Sequence, residues 1–220
     1  MGPFAMSEPQ KLIRDDWEPT VFSARVVEPE KLRCLLEGAD RTPSYLNKPP
    51  WHFIIATKDD SDEYERLVSC LSEVNVEWAR RAPVLMLSVV ALHNGSNAGR
   101  NNHAFRDAGH AVSNLVLLAK AMGLAAQQMA GFDEAKVRER FQIPAGFAPT
   151  TAIALGYPTE LKGASIGTQQ PDMRTDRPLE SFVFTGGWGR PAPLINGAAR
   201  EASANESGCL GKGERSLAVA

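Results

Sequence analysis

The chain has 220 residues, 43% apolar and 23% charged, with a formal net charge of -2, the profile of a globular protein with its own core. Nothing in that balance offers a polyanion a footprint, and no apolar run is long enough to span a bilayer, so neither nucleic acid nor membrane is expected as a partner. Met1–Ser7 lacks a basic region leading into an apolar core, and Cys34, Cys70 and Cys209 form no Cys-x-x-Cys pair; the expectation is a cytoplasmic protein with reduced thiols and no metal.

Residues 1–11 read as a flexible lead-in, 12–190 as one folded domain and 191–220 as a tail whose Ala, Gly, Ser and Glu show no periodicity. Pro29 suits a first helical position, and Leu32, Leu35 and Leu36 follow at helical spacing, so 29–39 is a helix closed by Gly38 and the Pro43 turn. Trp51–Thr57 is a strand. Residues 61–70 form an amphipathic helix capped by Ser61, with Tyr64, Leu67 and Val68 turned inward.

The run from Pro83 to Leu92 is too uniformly apolar for a half-exposed strand and reads as a central strand covered on both faces. After a Gly/Asn/Ser loop, Phe105–Met122 is a long helix, apolar on most sides, that Gly123 terminates. Asp133 caps a helix over 134–141, Thr150–Gly156 is another buried strand, and Pro178–Phe184 has strand character. This alternation predicts an α+β fold, with a sheet between layers of helices.

The segment carrying most chemical information is the turn Pro43-Ser44-Tyr45-Leu46-Asn47-Lys48-Pro49-Pro50, which runs straight into the Trp51 strand. Short polar side chains and backbone donors on the end of a rigid strand are well placed to grip a small ligand. Ser44 and Asn47 would equally serve by making the turn's own hydrogen bonds. His103 and Asp107 lie one helical turn apart, but a third metal ligand is missing nearby, so a local hydrogen bond or a place beside a substrate channel is expected of them.

Seven blocks resemble the FMN-dependent nitroreductase family in order and spacing: Leu12–Phe22, Pro43–Thr57, Asn75–Leu87, Asp107–Gly123, Met129–Asp133, Pro149–Pro158 and Arg177–Gly189. The resemblance implies an α-β-α sandwich around a central mixed sheet and an intertwined homodimer with FMN between the subunits. It also implies hydride transfer from NAD(P)H through flavin to a small nitro, quinone or unsaturated substrate. The chemistry would be the cofactor's, with no separate catalytic residue identified here. By position, Ser44 and Asn47 approach the flavin, Asn75 faces its pyrimidine edge, and Met129, Ala130 and Gly131 lie along the ring. Arg174 and Arg177, of the basic C-terminal block, bind the cofactor as well, while His103 and Phe105 border the substrate channel.

The resemblance breaks at the phosphate. Where the family pattern is Arg-Trp-Ser-Pro-Arg-Ala-Phe, this chain has Asp16-Trp17-Glu18-Pro19-Thr20-Val21-Phe22, and the C-terminal basic run is interrupted by Asp176. Two unit charges about 5 Å apart interact by roughly 3 kcal/mol at an effective dielectric near 20. Exchanging attraction for repulsion at Asp16, Glu18 and Asp176 therefore weakens a phosphate grip by orders of magnitude. An FMN-dependent oxidoreductase is the leading expectation. The alternative is a flavin-free descendant whose acidic corner binds another ligand, with non-redox chemistry or a binding or partner-subunit role.

Overall fold

In a computed structural model of the protein, residues 12–13, 21–93, 99–159 and 177–193 are described. The chain divides into two compact units, Met1–Asp172 and Met173–Ala220.

The first unit is organised by β2 (Val84–Ala91), whose residues Val84–Val90 are all buried. Successive strand side chains point to opposite faces. Leu85, Leu87 and Val89 therefore enter one core, and Val84, Met86 and Val90 the other. β4 (Phe147–Gly156) repeats the pattern, with Ala152 and Ala154 on the first face and Ile153 and Leu155 on the second. The sheet order is β1-β2-β4-β3, with β1 (Trp51–Thr57) and β3 (Ala125–Met129) as its edges. A bulge interrupts the β2–β4 register between Ser88 and Val89, where Thr150 sends its hydroxyl to the Ser88 carbonyl at 3.1 Å.

Helices cover both faces. On one side lie α2 (Ser61–Val68), α3 (Glu73–Ala79) and α5 (Glu134–Arg140), which contribute Tyr64, Leu67, Trp78 and Val137 to the core. On the other, α1 (Pro29–Asp40) crosses α4 (Ala104–Ala121). α4 buries Ala104, Ala108, Ala111, Val112, Leu115 and Ala119, a stripe of mostly small residues that brings the helix close to the sheet. Gly123, at φ +74, ends it in the left-handed conformation glycine tolerates. The α+β sandwich expected from the sequence is thus present.

Several details differ from expectation. All strand pairs among the described residues are antiparallel, so the parallel pair of a mixed sheet is not among them. The α2 cap is Asp60, whose carboxylate accepts the Glu63 amide, rather than Ser61. Gly38 lies inside α1 instead of closing it, at a place where a Cβ would collide with the Leu118 side chain. Pro178–Phe184 holds a 3-10 turn, Leu179–Ser181, where a strand was expected. Pro178 has no N–H to give a ladder, and Arg177 ties the turn to Ser181. In that second unit Thr185 donates its N–H to the Arg190 carbonyl, and Trp188 is 95% exposed.

Candidate active site

The turn before β1 is held in an unusual shape. Leu46 and Asn47 have φ of 56° and 54°, consecutive left-handed residues of which only Asn adopts that region readily. The turn closes through Asn47 N–H to the Ser44 carbonyl and Lys48 N–H to the Tyr45 carbonyl. Tyr45 N–H donates to Asp107 Oδ2 at 2.8 Å, and the Tyr45 ring lies 4.4 Å from that of His103. The turn that carries Ser44 and Asn47 is thereby fastened through Tyr45 to His103 and the head of α4. Phe105, in the first turn of the same helix, is 53% exposed.

Asp107 had been paired with His103 in the sequence only by spacing. Its carboxylate is buried, and its other oxygen takes Arg106 at 2.8 Å. Burial pushes its pKa up, but the Tyr45 N–H, Arg106 and His103 more than offset that and hold it below its ordinary value. No local pattern could have indicated this role, since the contact joins residues 62 apart.

A second group forms where β3 ends. Asn75 is buried, donates to the Gly131 carbonyl at 2.9 Å and accepts from Trp78 Nε1 at 3.2 Å. The same carbonyl accepts Ser72 N–H. A Cβ at Gly131 would fall 2.5 Å from Asn75 Nδ2 and 2.6 Å from Ser72 Oγ. This close packing already accounts for the glycine. Met129 points into the core, while Ala130 is exposed.

The two groups lie at opposite edges of the sheet, on strands separated by three inter-strand spacings, about 14 Å. They also pack on opposite faces, Trp78 and Met129 in one core and the α4 stripe in the other. Arg177 spends its guanidinium on Ser181 Oγ and the Ser181 carbonyl and lies over the Phe182 ring. Asp16, Glu18, Arg174 and Asp176 fall outside the described residues.

Tested against a flavin, the turn fits. Ser44 Oγ is enclosed yet has no hydrogen-bond partner among the described residues, so a polar ligand edge would complete it. Leu46, 65% exposed, and Tyr45, 42% exposed, offer apolar surface beside it.

The family model described as "Nitroreductase family" matches residues 68–157. An uncharacterized 15.4 kDa protein in the ask 5′ region of Mycolicibacterium smegmatis is 32% identical over 135 residues, 60% of this chain and 90% of that one. A putative NADH dehydrogenase/NAD(P)H nitroreductase of Stenotrophomonas maltophilia is 29% identical over 165 residues, 67% of this chain and 83% of that one. A crystal structure described as an oxidoreductase containing FMN superposes with a TM-score of 0.74 at 28% identity, covering 86% of this chain and 95% of that one. The chain belongs to the nitroreductase family of oxidoreductases.

Proposed function

We propose that the protein is an FMN-dependent oxidoreductase working as a homodimer, with NAD(P)H as electron donor and a small nitro, quinone or unsaturated compound as acceptor. The observation that carries this reading is the enclosed, unpartnered Ser44 hydroxyl on a strained turn pinned to a rigid helix. FMN, when bound, supplies the hydride relay between the two substrates.

The chain's own residues bind and orient. Ser44 Oγ and the Asn47 amide would meet polar edges of the flavin, and the backbone at Ala130 and Gly131 would lie along it. His103 and Phe105 would shape the acceptor's approach from the α4 side. Because the Ser44 and Gly131 groups lie at opposite edges and faces of the sheet, each would be met by a different copy of the chain. A hollow of about 540 Å³ between α1 and α4, lined by Cys34, Gly38, Leu117 and Leu118 among others, gives a partner an apolar seat. Trp188, 95% exposed, offers another.

The experiment is anaerobic: flavin-loaded protein is mixed with NADH or NADPH, and the flavin absorbance is followed before and after addition of a nitroarene or quinone. Bleaching followed by recovery is expected. A loaded protein that neither bleaches nor recovers refutes the oxidoreductase role.

A second reading rests on Asp16, Glu18 and Asp176, which stand where the family's phosphate grip carries basic or hydroxyl residues. In it the corner holds a neutral or cationic ligand, and the chain does non-redox chemistry or only binds. Lack of response to any flavin, with the fold intact, is its signature.

A further inference from the structure

We propose that Asp107 is a positioning residue for the flavin-facing turn: its carboxylate, bonded to Tyr45 N–H, holds Leu46 and Asn47 left-handed and so aims Ser44 and Asn47 at the ring. The inference rests on the flavin reading above and adds to it a residue that acts through others.

The argument begins with strain. Left-handed backbone has a cost for a residue such as Leu, which carries a Cβ and lacks the short polar side chain that eases Asn into that region. Leu46 recovers little of it by burial, since 65% of its surface is exposed. Such a turn persists only if the surroundings over-determine it. Two tethers at the head of α4 do so: Asp107 Oδ2 to Tyr45 N–H at 2.8 Å, and His103 against the Tyr45 ring at 4.4 Å. The first is the strongest kind, a charge-assisted hydrogen bond to a buried carboxylate.

The plainer account treats Asp107 as an acidic residue near the positive end of a helix. That account requires no particular partner. Instead the Asp107 side chain is only 2% exposed, and one oxygen is turned out of its helix onto the turn's amide while the other takes Arg106. An 18-residue helix packed on the sheet is a rigid platform, and a binding turn tied to it loses less freedom when ligand arrives.

The test uses the full chain stripped of flavin and titrated with FMN and, separately, riboflavin, followed by quenching of flavin fluorescence. Asp107→Ala is expected to weaken both ligands by the same factor, on the order of tenfold. Asp107→Asn keeps a carbonyl that can accept Tyr45 N–H and is expected to recover most of the affinity. Asn114→Ala removes the hydrogen bond from Asn114 Nδ2 to Thr42 Oγ1, which holds the same helix to the end of α1 and touches no residue of the turn, so it should lower Tm and leave flavin affinity unchanged. Hydrogen exchange at the Tyr45 amide, read without flavin, should accelerate in Asp107→Ala alone. If that variant does not fold, Tyr45→Pro deletes the same hydrogen bond from the turn's side together with the ring contact to His103, and a loss at least as large is expected.

Wild-type affinity in Asp107→Ala, or in Tyr45→Pro if that replaces it, overturns the proposal. So does an Asp107→Asn loss equal to that of Asp107→Ala, which would show that an acceptor facing Tyr45 N–H does not restore the turn. An equal loss in Asn114→Ala would assign the effect to general loosening and overturns the proposal too. A folded wild-type protein that quenches neither FMN nor riboflavin overturns the flavin reading itself and this inference with it.

Discussion

Tyr157 donates its hydroxyl proton to Glu28 Oε2 at 2.6 Å, joining the end of the sheet to a residue 129 positions earlier in the chain. Lys31 Nζ donates to the same hydroxyl at 2.8 Å, and the Arg25 guanidinium lies 3.8 Å above the ring. The contact fastens the segment before α1, whose Ser23 N–H also bonds the Tyr157 carbonyl. The Tyr157 hydroxyl, then Glu28's own backbone N–H and Arg25, hold the Glu28 carboxyl down to about 2 from an ordinary 4.5.

A carboxylate held below its unfolded value contributes stability that is complete above that value and lost as pH falls through the folded one. The contribution should therefore fade between pH 4.5 and about 2. Glu28→Gln removes the titration, so Tm of the variant should fall less steeply than wild type on acidification across that window. Parallel Tm curves would show that Glu28 is not held as described.

Gly156 ends β4 with no room for a side chain. A Cβ there would stand 2.5 Å from Pro83 Cδ and 3.2 Å from Phe22 Cδ1. A proline ring cannot swing aside, so Gly156→Ala forces backbone apart at the sheet's end. The expected cost is about 1–3 kcal/mol, or roughly 3–10 °C in Tm by thermal denaturation. An unchanged Tm would mean that the contact yields freely.

Asp16 and Glu18 lie outside the described residues, yet their charge makes a prediction. If they face the flavin phosphate, Asp16→Arg with Glu18→Ser should tighten FMN by on the order of a hundredfold or more, leaving riboflavin affinity nearly unchanged. Equal gains for both ligands, or none, would place these residues away from the phosphate.

The elements legible in the sequence were those with one dominant signal. The nearly uniform apolar run of β2, broken only by Ser88, indicated a strand covered twice, and the structure buries it on both faces. The small-residue stripe and Gly123 marked α4 within a residue of its observed ends. β3 had no such signal, because Ala125-Ala126-Gln127-Gln128-Met129 is a weakly β-forming edge that takes its shape from pairing with β4. α3 is only seven residues long, and it is held by Asn75 bonding the distant Gly131 carbonyl while Trp78 donates to Asn75.

At the candidate site the same division holds. Pro43, Ser44 and Asn47 announced a turn through local chemistry. The strain at Leu46, the grip of Asp107 and the packing reason for Gly131 are all products of tertiary contact. A spacing pattern paired His103 with Asp107, whereas the fold assigned Asp107 to Tyr45.

The most direct measurement is a titration of the purified, flavin-stripped protein with FMN, counting bound flavin per chain and the mass of the assembly. The account predicts saturable uptake of one flavin per chain by a dimer, with the free monomer taking up none. A folded protein that stays colourless in excess FMN and riboflavin, or a monomer that binds flavin fully, would contradict it.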